Sequence, residues 1–222
     1  MSQFLFDRPA QHATGVSRRR LVAGGAMAGL AGTLGFSALT KRPAQAGMMS
    51  NNAAMNDAEI LNGALYYEHQ AIWAYSTAAG ELSDSEVGKA VLNIALANQA
   101  DHMTHRDTLA QVIRDLGSTP VMAESSYDLS SYLDRGDGGL DSDVNIAKLA
   151  LALETDAAIA YAGEVARLMT PELVTAGTTI AAAEASHATT IRAAFIGLGM
   201  DIDYVPAAFV SADTRDQWVL KV

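Results

Sequence analysis

From Asn56 onward, apolar residues recur at intervals of three and four along most of the chain, the period of a helix with one buried face. No β-branched run alternates between turns as a half-buried strand would, so the pattern predicts an all-α protein. Asn56, with Glu59 three positions on, has the form of a capping box that opens a first helix running to about Ala79. Ser83 and Glu86 open a second in the same way; it continues to Leu116 and stops at Gly117. Asp143 begins a third that reaches about Met169, and Thr170-Pro171-Glu172 gives the fourth a cap and a proline in its first turn before it ends near Gly199. Gly80–Leu82 and Thr170 are short links, which make antiparallel neighbours, whereas Ser118–Ser142 is a connection of about 25 residues. The expected fold is a four-helix bundle over residues 56–199 with one long crossover between helices 2 and 3. Within that crossover, Asp134–Asp143 is rich in Asp and Gly but lacks the acid spacing of a calcium loop, and reads as a solvated turn. The tail, residues 200–222, carries Tyr204, Val205, Phe209 and Trp218 and is expected to pack on the bundle or on a partner subunit.

Each apolar seam is interrupted by a polar side chain near mid-helix. Glu68 lies among Leu61, Ala64, Ala71 and Tyr75; Gln99, His102 and Arg106 among Leu92, Ala95, Leu109 and Ile113. Glu154 lies among Ala150, Ala157 and Tyr161; Glu184 and His187 among Ile180, Ile191 and Phe195. An unpaired buried carboxylate costs several kcal/mol, so three at one level require compensating charge, which a pair of divalent cations supplies. Residues at i and i+3 share a helix face, so Glu184 and His187 can address one centre, and Gln99 and His102 repeat the spacing. Carboxylate with imidazole suits iron or manganese better than calcium. An internal repeat adds to this: Glu68 to Tyr75 and Glu154 to Tyr161 share Glu, Ala at +3, Ala at +6 and Tyr at +7. The chain therefore reads as two related hairpins. Tyr75 and Tyr161 are expected to pack with satisfied hydroxyls, Trp73 and the methionines to fill the core, and His69 and His105 to turn away from the seam.

On these residues the sequence resembles the ferritin-like di-iron and di-manganese carboxylate proteins, over about Asn56–Gly199. The resemblance implies a ligand pattern of Glu, Glu-x-x-His, Glu, Glu-x-x-His on successive helices. It places Glu68, Glu154, Glu184, His187 and His102 in matching positions and sets Gln99 where a bridging Glu belongs. That departure leaves three carboxylates for two ions. Arg106, one turn beyond His102, is a further cation that can pair with one of the acids instead. The implied function is a di-metal oxidoreductase handling O₂, peroxide or Fe(II), with two iron or manganese ions, or one if Gln99 weakens a position. The alternative is a non-catalytic stress or binding protein on the same bundle, with a one-metal or metal-free site.

The region before the bundle changes the composition arithmetic. Ser17-Arg18-Arg19-Arg20 leads into Leu21–Leu39, an uncharged apolar run with five glycines, followed by Lys41, Arg42 and the small-x-small sequence Ala44-Gln45-Ala46. This order resembles a twin-arginine (Tat) export signal over residues 1–46, with 47–55 as a short linker, and implies periplasmic or other export. The glycines and the cleavage sequence argue for removal over retention as an anchor. Six of the 15 basic and one of the 25 acidic residues fall in this segment, leaving 9 against 24, a net charge of −15 on 176 residues in place of −10 on 222. So acidic a surface disfavours nucleic acid and anionic lipid and attracts cations. The positive mean hydropathy of +0.11 reflects the signal and the Ala-rich helices more than a membrane domain. With no Cys, thiolate nucleophiles, disulfides and cysteine-ligated clusters are excluded, leaving oxygen and imidazole ligands. A homo-oligomer remains open.

Overall fold

The computed structural model describes residues 51–222 and is helical with no strand among them. The proposed signal, and the linker as far as residue 50, lie outside the described residues. Four long helices form the body: α1 (Asn51–Glu81), α2 (Glu86–Asp115), α4 (Asp143–Val165) and α5 (Pro171–Gly197). The short α3 (Ser130–Asp134) lies in the crossover, and a 3₁₀ turn (Ala212–Thr214) and α6 (Arg215–Trp218) lie in the tail.

The predicted helices are present, with shifted ends. Helix α1 begins at Asn51, so Asn56 is no cap; its side chain donates to Asp57 and to the Arg167 carbonyl. Ser85, and not Ser83, caps α2 by accepting from the Gly88 amide, and Ser142 caps α4 through the Asn145 amide. Ser83 is diverted because its amide and hydroxyl both donate to Asp143. Helix α4 ends at Val165, four residues short of expectation, and Pro171 opens α5.

Helices α1 and α2 pack as one hairpin, α4 and α5 as another. Two carboxylates fix how the hairpins join. Asp143, opening α4, accepts from Ser83 and Ser85 at the α1–α2 turn. Asp57, near the start of α1, accepts from the Met169 amide and from the amide and hydroxyl of Thr170 in the α4–α5 turn. Helix α4 therefore starts beside the start of α2 and runs parallel to it, which obliges the crossover to travel the length of the bundle. It climbs along α1, with Val121 on Asn62 and Tyr127 against Tyr66 and Trp73.

The segment expected as a solvated turn is exposed at both ends but buried at its centre, residues 137–139. Asp137 is fully enclosed and ion-paired with Arg135, Arg215 and Lys221. Gly138, at φ +126°, lies so close to α4 that a Cβ would sit 2.2 Å from the Leu149 nitrogen. Sequence spacing could not show this because the cations that hold Asp137 lie up to 84 residues away. The tail packs on the bundle: Trp218 is buried, and buried Arg192 of α5 donates to the carbonyls of Asp203 and Trp218.

Apolar layers fill both ends of the bundle. Leu61, Leu65, Leu109, Ile113, Leu173 and Ile180 form one; Val91, Ile146, Leu151, Ile191 and Phe195 form the other. Burying each of these side chains is worth about 1.5–3 kcal/mol. Between the two layers in every long helix lies the polar residue that interrupts the seam.

Candidate metal centre

Six side chains from the four long helices meet at mid-bundle: Glu68 of α1, His102 and His105 of α2, Glu154 of α4, and Glu184 and His187 of α5. All except His105 are buried, and its side chain is only 13% exposed. They form two overlapping quartets, Glu68/His102/His105/Glu184 and His102/Glu154/Glu184/His187, in each of which the donor atoms lie within 4.8 Å of one another. His102 and Glu184 belong to both.

Five of the six predicted ligands are thus brought together, and Gln99 is not among them. It is half-buried against α1, where its amide nitrogen donates to the Ile72 carbonyl at 2.9 Å and the Ser76 hydroxyl at 2.7 Å. His105, expected to face away, replaces it: its Nδ1 is 3.1 Å from Glu184 Oε1 and 3.6 Å from Glu68 Oε1. Arg106 does not enter the cluster either, pairing with Asp107 at 2.8 Å.

The correction is a register shift of three on α2. His102-x-x-His105, and not Gln99-x-x-His102, is the spatial counterpart of Glu184-x-x-His187, so the departure from the family pattern is a histidine in place of the bridging Glu. From Glu68 to His102 is 34 residues and from Glu154 to Glu184 is 30. The difference is about one helical turn, which preserves the face while lengthening the hairpin. The i,i+3 histidine pair was the available signal, and matching interval lengths pointed away from it.

The outer shell follows the same pseudo-twofold relation. The Tyr161 hydroxyl donates to Glu68 and the Tyr75 hydroxyl to Glu154, each tyrosine serving the other hairpin's glutamate. Both hydroxyls are satisfied, and burial beside these carboxylates pushes the two phenols well above their ordinary range. Asn98, one turn before His102 and not singled out by the sequence, donates to the Tyr75 oxygen at 3.0 Å and to Glu154 at 3.3 Å. Asp101, also missed, is half-exposed behind His187, 3.1 Å from its Nε2, while the ring's Nδ1 faces Glu154 and Glu184. A carboxylate behind a ligating imidazole fixes the ring's orientation.

Electrostatics tie the six groups together. Burial raises the Glu68 carboxyl, but the hydrogen bond from His102 and the nearby charge of the His102 and His105 imidazoles outweigh it and hold the group at about 2. Burial likewise opposes the charged imidazoles, yet Glu184 and Glu68 lift His105 to about 9, and Asp101, Glu154 and Glu184 lift His187 to about 12. His102 reaches both halves, with Nδ1 2.8 Å from Glu68 and Nε2 3.2 Å from Glu154.

The donor set is three carboxyl and three imidazole groups, which suits iron or manganese. Two buried atoms support the fit: His105 Nδ1 and Glu184 Oε1 have no hydrogen-bond partner, although they lie 3.1 Å apart. Buried polar atoms are seldom left unpartnered, and an imidazole nitrogen beside a carboxylate oxygen is a pair that a cation, displacing the ring proton, would satisfy. Glu68 and His105 would hold one ion, Glu154 and His187 the other, with Glu184 between them.

No protein with a curated description matches the chain. Among solved structures it is similar to a conserved hypothetical protein, rv2844, from Mycobacterium tuberculosis, at 25% identity and a TM-score of 0.55 over 72% of this chain and 99% of that one. The model of the ferritin-like domain matches residues 56–196, the span that holds nearly all of both hairpins and all six cluster residues. The chain belongs to the ferritin-like domain family.

Proposed function

We propose that this is an exported ferritin-like di-metal protein that binds two iron or manganese ions and acts as an oxidoreductase on O₂, peroxide or Fe(II). The observation that carries the reading is the pair of quartets sharing Glu184 and His102, with a buried nitrogen and oxygen left unpartnered between two of their members. When bound, such ions supply one-electron chemistry toward oxygen species. The chain's own residues bind and orient. The glutamates supply anionic donors, Tyr75 and Tyr161 hold two of them in place, and the apolar layers above and below exclude water. Export rests on the resemblance of residues 1–46 to a twin-arginine signal, and that route carries proteins already folded around a cofactor.

A second reading, a non-catalytic protein with one metal or none, draws on a specific observation. His102 stands where a fourth carboxylate would belong, and the raised imidazoles can balance the acids without any cation. Metal analysis of protein purified from iron- and manganese-replete cells separates the two. The di-metal reading expects about two ions per chain, consumption of O₂ or peroxide by the loaded protein, and loss of both in Glu184→Ala. Metal-free wild-type protein with unchanged stability would sink it. Export is tested separately: replacing Arg18 and Arg19 by Lys should retain the protein in the cytoplasm, and undiminished export would refute the signal.

A further inference from the structure

Between α1 and α4, and not lined by His105 or His187, lies a cavity of about 230 Å³ that reaches Glu68, Glu154 and His102 of the cluster. Its walls are largely alanine, including Ala71, Ala74 and Ala78 of α1 and Ala150, Ala157 and Ala160 of α4. Tyr132, carried by α3 in the crossover, lines the mouth together with Tyr67. The floor presents Glu68, Glu154, His102 and the rings of Tyr75 and Tyr161.

Three features select the occupant. The volume is about one and a half times that of an engineered apolar cavity of roughly 150 Å³ that binds benzene, so one ring with a short substituent fits. The alanine walls offer contact without hydrogen bonds, favouring an apolar body. At the floor both tyrosine hydrogens are already donated to Glu154 and Glu68, so those hydroxyls and carboxylates have only lone pairs left to offer. A ligand must therefore bring a donor. The same two carboxylates at the floor disfavour an anion.

We propose that this cavity binds an uncharged, mostly apolar monocyclic molecule carrying a hydroxyl group, a simple phenol being the minimal case, with the hydroxyl directed at Glu68 and Glu154. The ligand's role as a substrate rests on the di-metal reading above, while its binding does not.

The test is titration of the full chain, both metal-free and metal-loaded, with 4-ethylphenol and with 4-ethylbenzoate, followed by calorimetry. The phenol should bind with one-to-one stoichiometry and the benzoate at least about tenfold more weakly. Ala157→Leu fills the cavity from α4 and should weaken phenol binding by about tenfold or more, with the wild-type thermal midpoint and metal content retained. Ala71→Leu blocks it from α1 and serves where the first variant does not fold. Absence of phenol binding, equal binding of the benzoate, or unchanged binding in a folded cavity-filled variant overturns the proposal. So does a change in oligomeric state on filling the cavity without any phenol binding, which would assign the groove to a second copy of the chain. Phenol bound by a protein that takes up no metal defeats the di-metal reading alone, and metal uptake without phenol binding defeats this one alone.

Discussion

Glu184 and His105 carry the sharpest consequences of a single side chain. His105→Ala removes the nitrogen that lies beside Glu184 Oε1 and should lower the metal content of the protein, measured by elemental analysis. Gln99→Glu, by contrast, should leave stoichiometry unchanged, because that side chain faces Ile72 and Ser76 and not the cluster. Its effect should appear in the melting curve as a loss of about 1 kcal/mol, since a carboxylate cannot donate to the Ile72 carbonyl. A gain in metal on Gln99→Glu would mean that α2 turns by most of a helix face when the ions bind. The seam pattern identified which helices carry acids and where along them, but two i,i+3 pairs on α2 compete within seven residues, Gln99/His102 and His102/His105. Helical periodicity separates faces by 100° per residue and does not resolve which pair meets the neighbouring helices.

At the level of elements, the joins between helices depend on a few buried acceptors. Asp57 accepts from the amides of Met169 and Thr170 and from the Thr170 hydroxyl, pinning the α4–α5 turn to the start of α1. Asp57→Ala removes the shared acceptor of these three part-buried hydrogen bonds and should cost about 1–2 kcal/mol in chemical denaturation, with the slope of the transition unchanged. A loss below about 0.5 kcal/mol would show that the turn finds other partners. Gly138→Ala should be more damaging than its size suggests, because the added Cβ meets the α4 backbone and the glycine holds a left-handed φ of +126°. The expected outcome is a lower melting temperature, together with displacement of Tyr132 from the cavity mouth. Neither join was legible in the sequence as such. Asp57 and Asp143 look like ordinary first-turn acids, and their partners are 112 and 60 residues away.

On the scale of the whole molecule, Asp137 links the crossover to the tail. Arg215 joins it to Asp156 of α4, Lys221 adds a second cation, and the Val222 amide donates to the Gly136 carbonyl. Burial raises the Asp137 carboxyl, but hydrogen bonds from Arg215, Lys221 and Arg135 prevail and hold it at about 2 against an ordinary 3.8. A carboxyl depressed in the folded state stabilises above its unfolded value and loses that contribution as pH falls through the folded one. The tail should therefore detach between about pH 4 and pH 2, seen as exposure of the buried Trp218 by fluorescence. Asp137→Asn should release it already at neutral pH; an unchanged acid profile in that variant would remove Asp137 from the linkage. No described helix is long and apolar enough to cross a membrane.

The sequence by itself determined the helices, the two hairpins and the level at which each seam turns polar, because these follow from periodicities that a helix repeats every turn. It also limited the chemistry to carboxylate and imidazole, since there is no Cys to supply a thiolate. Tertiary structure decided what periodicity cannot encode. The rotation of α2 brought His105 in and left Gln99 out, and distant cations enclosed an apparently solvated Asp137. The packing of α1 beside α4 left a cavity that reaches the cluster. Each depends on how helices distant in sequence pack against one another, and the sum of those contacts is not readable from any one segment.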